Sequence, residues 1–433
     1  SKYLNKIRSS DKYNSAKLSV KSALGNIPFL GNPIQKSLRN SKEKIKYSVL
    51  SDEGHLIEAL GIKYFGPVDG YNIQDMEDIF TAASKYDGPT LIHVHTKKGK
   101  GYHFAEMYPR KFHGIGPFDI NTGKEKNKSS SRSFSEVFGN KIANLADSDK
   151  KIVAITAAMG TATGLTSFWE RHEERYFDVG IAEEHAVVFA AGLAKSGFKP
   201  IVVIYSSFLQ RSFDYIIEDI ALQNLHVIFA IDRAGLVGAD GETHHGQFDI
   251  SYLNMVPGMT ILAPADGNQL EEMLDFAIDM DGPVAIRYPR GSSEGNHLRI
   301  KPFKGFNNVI STGTDITILA VGSMLDEAIK TAAILRERGL DVGITNVCVV
   351  KPMDSTWSDI SSKLIVTMED NVQSGGFGEA FTSAHSNSKY DILNIAIPDM
   401  FVEQGSVSEL RSECMIDAQS ASERILSYFE RKA

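Results

Sequence analysis

The chain has 433 residues and a formal net charge of −8, with 42% hydrophobic and 23% charged residues. That length fits two to three domains of ~100–200 residues, and the acidic balance argues against a nucleic-acid partner. No apolar run approaches the ~20 residues that span a bilayer, so no membrane partner is expected.

The chain opens on a basic stretch. Between Ser1 and Leu50 eleven Lys or Arg face only Asp11 and Glu43, which reads as a solvated surface segment. Beyond residue 60, apolar β-branched runs alternate with amphipathic segments, the pattern of βα units around a parallel sheet in an α/β fold. Region one, residues 1–130, holds a helix over Gln74–Tyr86, the breaker Asp87-Gly88-Pro89 and a strand over Thr90–His95. A lysine- and glycine-rich turn up to Tyr102 follows, then a loop containing His113 and a polar linker over Asn121–Ser131.

Region two, 131–305, has short continuous apolar runs at Ile152–Thr156, Tyr176–Val179, Pro200–Tyr205, Leu225–Ile231, Met259–Leu262 and Pro283–Arg287. Such runs fit strands covered on both faces. Helices are predicted over Glu183–Ser196 and Leu209–Gln223, the second with an apolar stripe of Phe213, Ile216, Ile217 and Ile220. Region three, 306–433, repeats the alternation. Its strands are predicted at Asp315–Val321, Asp341–Val347, Leu364–Met368 and Ile392–Ala396, and its helices at Leu325–Arg338, Gly376–His385 and Ser420–Arg431. The two cysteines, Cys348 and Cys414, are too few for a disulfide framework and sit in no metal-ligand spacing. Both read as inert thiols in a reducing, cytoplasmic setting.

Four strings carry chemistry, each where a strand runs into a helix or loop, the place where open α/β sheets put ligands. In Tyr176–Ala186 the carboxylate Glu183 stands at a helix start, which either a site or the helix dipole explains. In Ile204–Asp214, Ser206 or Ser207 can cap the helix, Phe208 is a core or stacking ring, and Arg211 is a surface or site cation. In Ile231–Gly246 four glycines make a permissive loop that also holds Arg233, Asp240, His244 and His245. Such a density of titratable groups favours a site over a plain turn. In Arg287-Tyr288-Pro289-Arg290-Gly291 two guanidiniums offer forks suited to phosphate or to surface ion pairs.

Taken together, the strings resemble the 1-deoxy-D-xylulose-5-phosphate synthase family. They run in order as Ala-Glu-x-His, Tyr-Ser-x-Phe-Leu-Gln-Arg, Asp-Arg-Ala-Gly-x-Val-Gly-x-Asp-Gly-x-Thr-His-x-Gly and Arg-Tyr-Pro-Arg-Gly. Gly66–Gly70, Thr96–Tyr102, Phe112-His113, Lys351–Asp354, Glu369-Asp370 and Ile397–Asp399 extend the match over essentially the whole chain. The resemblance implies a transketolase-like α/β fold: the tail of a diphosphate-binding domain plus linker over 1–130, a pyrimidine-binding domain over 131–305 and a transketolase C-terminal domain over 306–433. It implies a thiamine-diphosphate enzyme that condenses pyruvate with D-glyceraldehyde 3-phosphate, releases CO2, and works as a homodimer.

By the same resemblance Glu183 bonds the cofactor's aminopyrimidine and shares a proton with it, and Phe208 stacks on that ring. Tyr102 and His113 approach the cofactor from region one. Arg233 and Arg290 hold the aldehyde's phosphate within a substrate-side cluster of Tyr205, Arg211, Asp240 and His244. His244 and His113 are the proton carriers, while His95, His185 and His245 are left as structural. The chain departs from the family pattern in one respect. The Gly-Asp-Gly and downstream Asn that bind Mg2+ are not in this sequence, so no metal ligand is assigned here and those ligands are expected in a preceding part, as for a truncated chain. Two alternatives remain. One is the beta subunit of a 2-oxoacid dehydrogenase, against which stand Gly66–Asp119 and the two arginines. The other is a non-catalytic fragment on a decayed thiamine fold, against which stands Glu183.

Overall fold

Why the strands form where they do is visible in their burial. Ile152–Thr156, Ile228–Asp232 and Val284–Tyr288 are buried at every position, as β-rich runs must be when helices cover both sheet faces. The computed structural model describes residues 52–109, 111–126, 131–295, 301–354, 357 and 360–432. The basic segment predicted over 1–50 lies outside them. The chain divides into two units, Ser1–Lys128 and Ser129–Ala433.

In the first unit β1 (Lys63–Asp69) and β2 (Thr90–His95) pair in parallel, joined by a helix over Ile73–Ser84. Asn72 caps that helix by accepting from the Asp75 amide. The segment read as a linker is partly structured: Asp119 accepts from the amides of Asn121 and Thr122, and Phe118 pairs with Glu125.

In the second unit the described residues build two sheets. The larger has seven strands in the order β12-β7-β8-β6-β5-β3-β4. These are β3 (Ile152–Thr156), β4 (Tyr176–Asp178), β5 (Lys199–Tyr205), β6 (Ile228–Asp232), β7 (Thr260–Leu262), β8 (Val284–Tyr288) and β12 (Val349–Lys351). All pairs are parallel except β12 on β7. The smaller sheet runs β14-β13-β10-β11-β9, from β9 (Asn308–Ser311), β10 (Ile316–Val321), β11 (Val342–Val347), β13 (Leu364–Val372) and β14 (Asp391–Ile397), with β9 antiparallel to β11.

β12 was not foreseen. It comes from region three yet extends the sheet of region two, and its Lys351 ammonium donates to the carbonyls of Asn254 and Val256. Two long helices, Phe134–Ser148 and Gly267–Ala277, were also missed. Both begin on side-chain caps that the sequence displays, Ser133 with Glu136 and Asp266 with Gln269. The predicted helix over Leu209–Gln223 is in fact broken. It starts as Ser206–Leu209, tightens over Gln210–Ser212, and widens into a π-turn over Ile216–Ala221. Its stripe is nonetheless inward, with Ile216 and Ile220 buried. π-turns of this kind cluster at functional sites.

Candidate active site

The chain order reverses about β3, which sits between β4 and β5. The crossover helix Glu183–Lys195 therefore starts at a switch point on the carboxyl edge of the sheet, where ligands bind in this architecture. Three further strands end beside it in register: Tyr205 of β5 lies opposite Asp232 of β6, and Asp232 opposite Tyr288 of β8. Tyr205, Arg233 and Arg290 thus stand at or just past the ends of neighbouring strands.

Glu183 is 3% exposed. Its Oε2 accepts from Arg211 Nη1 at 2.8 Å, and Arg211 Nη2 lies 3.2 Å from Glu184. The Glu183 Oε1 makes no hydrogen bond among the described residues. Phe208, half-buried, stacks on Tyr205 with centroids 5.5 Å apart and meets the edge of His244 at 5.2 Å. The His244 Nδ1 pairs with Thr243 Oγ1 at 2.9 Å, and Nε2 makes no hydrogen bond among the described residues.

Arg233 has a left-handed backbone, φ +61, uncommon outside glycine. Its guanidinium carbon lies 4.0 Å from the centroid of the Tyr205 ring, a cation–π contact. One nitrogen pairs with Asp232 at 3.0 Å and donates to the Ala162 carbonyl at 3.2 Å. Asp232 is fully buried and also accepts from Ser135 at 2.7 Å. Burial pushes its carboxyl above the ordinary range, opposed by Arg233. Burial likewise raises the Tyr205 hydroxyl, so it is protonated and can donate at neutral pH. Arg290 pairs with Asp240 at 2.5 Å, both about half exposed.

The structure therefore forms two groups at this sheet edge, the pair Glu183–Arg211 and the connected set Phe208, Tyr205, Arg233 and His244, with Asp240 and Arg290 close enough to act on the Tyr205 hydroxyl electrostatically. The remaining two predicted residues belong to the other unit. Tyr102 packs among Phe104, Phe112 and Phe118 and donates to the Ile120 carbonyl, and His113 is exposed at the end of a short turn.

Two expectations need correction. Ser206 does not cap its helix; its hydroxyl donates to Asp249 at 2.9 Å instead. Arg287 is turned away from solvent. It is 3% exposed, with Nε on Asp249 at 2.9 Å and Nη1 on Asp370 at 2.8 Å. Burial opposes its charge, but the two carboxylates together raise its pKa. The signal was available: a cation inside a continuous apolar run needs a buried counter-charge. Asp232, not singled out from sequence, is the other residue missed. His245, left as structural, is buried; its Nδ1 accepts from the Val237 amide and its Nε2 donates to the Glu403 carbonyl.

Known proteins match this arrangement along nearly the whole chain. Residues 130–294 match the transketolase pyrimidine binding domain profile, 305–420 the transketolase C-terminal domain, and 1–96 the 1-deoxy-D-xylulose-5-phosphate synthase profile. A 1-deoxy-D-xylulose-5-phosphate synthase of Lachnoclostridium phytofermentans is 44% identical over 436 residues, covering 98% of this chain and 69% of the relative. The chain belongs to the 1-deoxy-D-xylulose-5-phosphate synthase family. A second family member, from Caldanaerobacter subterraneus subsp. tengcongensis, is 44% identical over 99% of this chain and 70% of its own length. Among solved structures, one titled as a split gene transketolase, inactive beta4 tetramer, aligns with TM-score 0.61 and 26% identity over 69% of this chain and 98% of its own. The transketolase of Campylobacter jejuni aligns with TM-score 0.58 at 15% identity, over 88% of this chain and 70% of its own, and shares the fold.

Proposed function

We propose that this chain supplies the pyrimidine-binding and aldehyde-binding side chains of an enzyme that joins pyruvate to D-glyceraldehyde 3-phosphate with loss of CO2, giving 1-deoxy-D-xylulose 5-phosphate. The observation that carries this reading is Glu183: a buried carboxylate at a sheet switch point, with one oxygen held by Arg211 and the other without a hydrogen bond among the described residues.

That arrangement fits the aminopyrimidine end of thiamine diphosphate, which when bound supplies the carbon nucleophile that accepts pyruvate and stabilises the charge left by CO2. Glu183 shares a proton with the ring, and Arg211 orients the carboxylate. Phe208 offers an apolar face for stacking. Arg290 exchanges its exposed partner Asp240 for the aldehyde's phosphate, Arg233 adds a second cation while keeping Asp232, and the Tyr205 hydroxyl donates beside them. His244 moves a proton at Nε2.

For the diphosphate and Mg2+ the fit is different. Among the described residues no three His, Cys, Asp or Glu are grouped to hold a metal, so these residues do not fit a Mg2+ site. The same reading gives region one, 1–130, the tail of the diphosphate-binding part, and gives Tyr102 and His113 cofactor-binding roles. It also includes a homodimer, the commonest closed assembly, and a cytoplasmic setting, which suits two free cysteines.

The test is turnover by the holoenzyme with 13C-labelled pyruvate, followed by NMR. The labelled 1-deoxyketose phosphate and CO2 are expected with glyceraldehyde 3-phosphate as acceptor. Acetyl transfer to lipoamide, with no ketose formed, would establish the dehydrogenase reading instead.

A further inference from the structure

The loop that carries Arg233, Asp240 and His244 leaves and re-enters the sheet edge through a narrow neck. Gly235 and Gly246 exchange backbone hydrogen bonds, N–H to O at 2.8 Å one way and 2.7 Å the other. Both glycines are hemmed in. A Cβ on Gly246 would lie 2.2 Å from the Arg233 carbonyl oxygen and 2.6 Å from the Ser206 side chain; one on Gly235 would lie 2.2 Å from Asp370 Oδ2. The neck is therefore gripped between Ser206, at the end of β5, and Asp370, on β13 of the smaller sheet.

These two gripping residues are tied to each other. Ser206 Oγ donates to Asp249 Oδ2 at 2.9 Å, Arg287 Nε donates to Asp249 Oδ1 at 2.9 Å, and Arg287 Nη1 donates to Asp370 Oδ1 at 2.8 Å. Ser323 holds the remaining Asp370 oxygen at 3.0 Å. The chain of contacts Ser206–Asp249–Arg287–Asp370 closes on itself through Gly235 and Gly246, a ring of buried groups around the neck. Beyond it, His245 and Gln247 bind the Glu403 and Met400 carbonyls, again on the smaller-sheet side.

We propose that Arg287, with Asp249 and Asp370, is a positioning residue for the aldehyde-phosphate site. It fixes the neck of the 233–246 loop and thereby the placement of Arg233, Asp240 and His244, so the region matching the transketolase C-terminal domain shapes the site without touching substrate. A buried ion pair kept only for stability has no reason to close on the base of a substrate loop, and replacing such a pair by apolar groups is often neutral or better. Here the fork geometry of arginine is required, because two carboxylates, Asp249 at the start of a short helix and Asp370 on the smaller sheet, must be reached at once. This inference rests on the assignment of Arg233 and Arg290 to the aldehyde's phosphate.

The test uses Arg287→Lys, which keeps the charge but loses the fork, and Ser206→Ala, which opens the ring by deleting one hydroxyl and endangers folding least. In the holoenzyme, kcat/KM is measured for glyceraldehyde 3-phosphate and for unphosphorylated glyceraldehyde. The preference for the phosphorylated aldehyde is expected to fall roughly 2- to 30-fold, the range typical of residues that couple to a site without contacting ligand. Hydrogen exchange of the peptide spanning 234–246 should quicken by at least that factor while the core strands β6 and β8 stay protected. An unchanged preference with unchanged loop exchange in both variants overturns the proposal. So does an equal loss with both aldehydes accompanied by faster exchange throughout. Should the wild-type enzyme fail to distinguish the two aldehydes, the phosphate assignment falls, while the exchange measurement still decides whether the ring holds the loop.

Discussion

Arg233 and Arg290 look interchangeable in the sequence, two arginines at strand ends beside glycine-rich turns, yet their replacement by alanine should have different consequences. Arg290 and its partner Asp240 are 45% and 41% exposed. Such a pair contributes ~0–1 kcal/mol to stability, so Arg290→Ala should melt like the wild type. Arg233 is 13% exposed and faces Asp232 at 0%. Removing it leaves a fully buried carboxylate with Ser135 as its hydrogen-bond donor, and breaking a buried pair in this way costs about 3–5 kcal/mol. The catalytic effect should nonetheless be shared. Each loss of a charge-assisted phosphate contact is worth on the order of 1.5–3 kcal/mol, about 10–150-fold in kcat/KM for the phosphorylated aldehyde. Urea midpoints and kinetics with glyceraldehyde 3-phosphate and glyceraldehyde separate the two effects. The double replacement Arg233→Ala with Asp232→Asn should recover most of the stability and none of the phosphate preference. Equal destabilisation by the two single variants, or equal losses with both aldehydes, would refute this division of roles.

Glu369 should give the folded protein a pH dependence. It is fully buried and accepts from the amides of Phe377 and Gly378 at 2.8 Å each; burial outweighs those bonds and pushes its carboxyl up to about 8. Because the folded value is the higher one, its contribution is fully present below the ordinary 4.5 and is lost as pH rises towards 8, with a slope of at most about 1.4 kcal/mol per pH unit. Glu369→Gln should flatten that part of the urea-midpoint profile; a slope identical to the wild type would remove Glu369 as its source. Cys348 and Cys414 are buried, and burial raises their thiols to about 12 and about 11. Iodoacetamide at pH 8 should leave both unmodified until the chain is unfolded, and rapid labelling of the native protein would contradict their placement.

The parts of the fold legible in the sequence are those set by continuous burial. The run Ile152–Thr156 falls where the sequence places it, as does the only partly covered strand Thr90–His95, and the ends of the other runs are displaced by up to four residues. What escaped depends on partners distant in sequence. β12 is three residues long and forms because β7 leaves an open edge for it. The irregular helix after Ser206 starts without a side-chain cap, its serine bonded to Asp249 instead of to its own helix amides. In the site, chemical types revealed the candidates, but only the structure shows which cations are buried. Arg287 has the same one-dimensional surroundings as Arg290, three residues on, yet it lies inside a strand buried at every position while Arg290 lies past its end.

The assignment of Glu183 is most directly tested by the turnover of Glu183→Gln in the holoenzyme. The substitution keeps the size of the side chain and disturbs an ion pair whose arginine is 51% exposed, so melting should change by no more than ~1 kcal/mol. A glutamine cannot share the proton, and turnover should drop ~10²–10⁴-fold, the range of general acid–base contributions. A folded variant that kept more than about a third of wild-type turnover would contradict the role given to Glu183, since even the smallest such contribution is about a hundredfold.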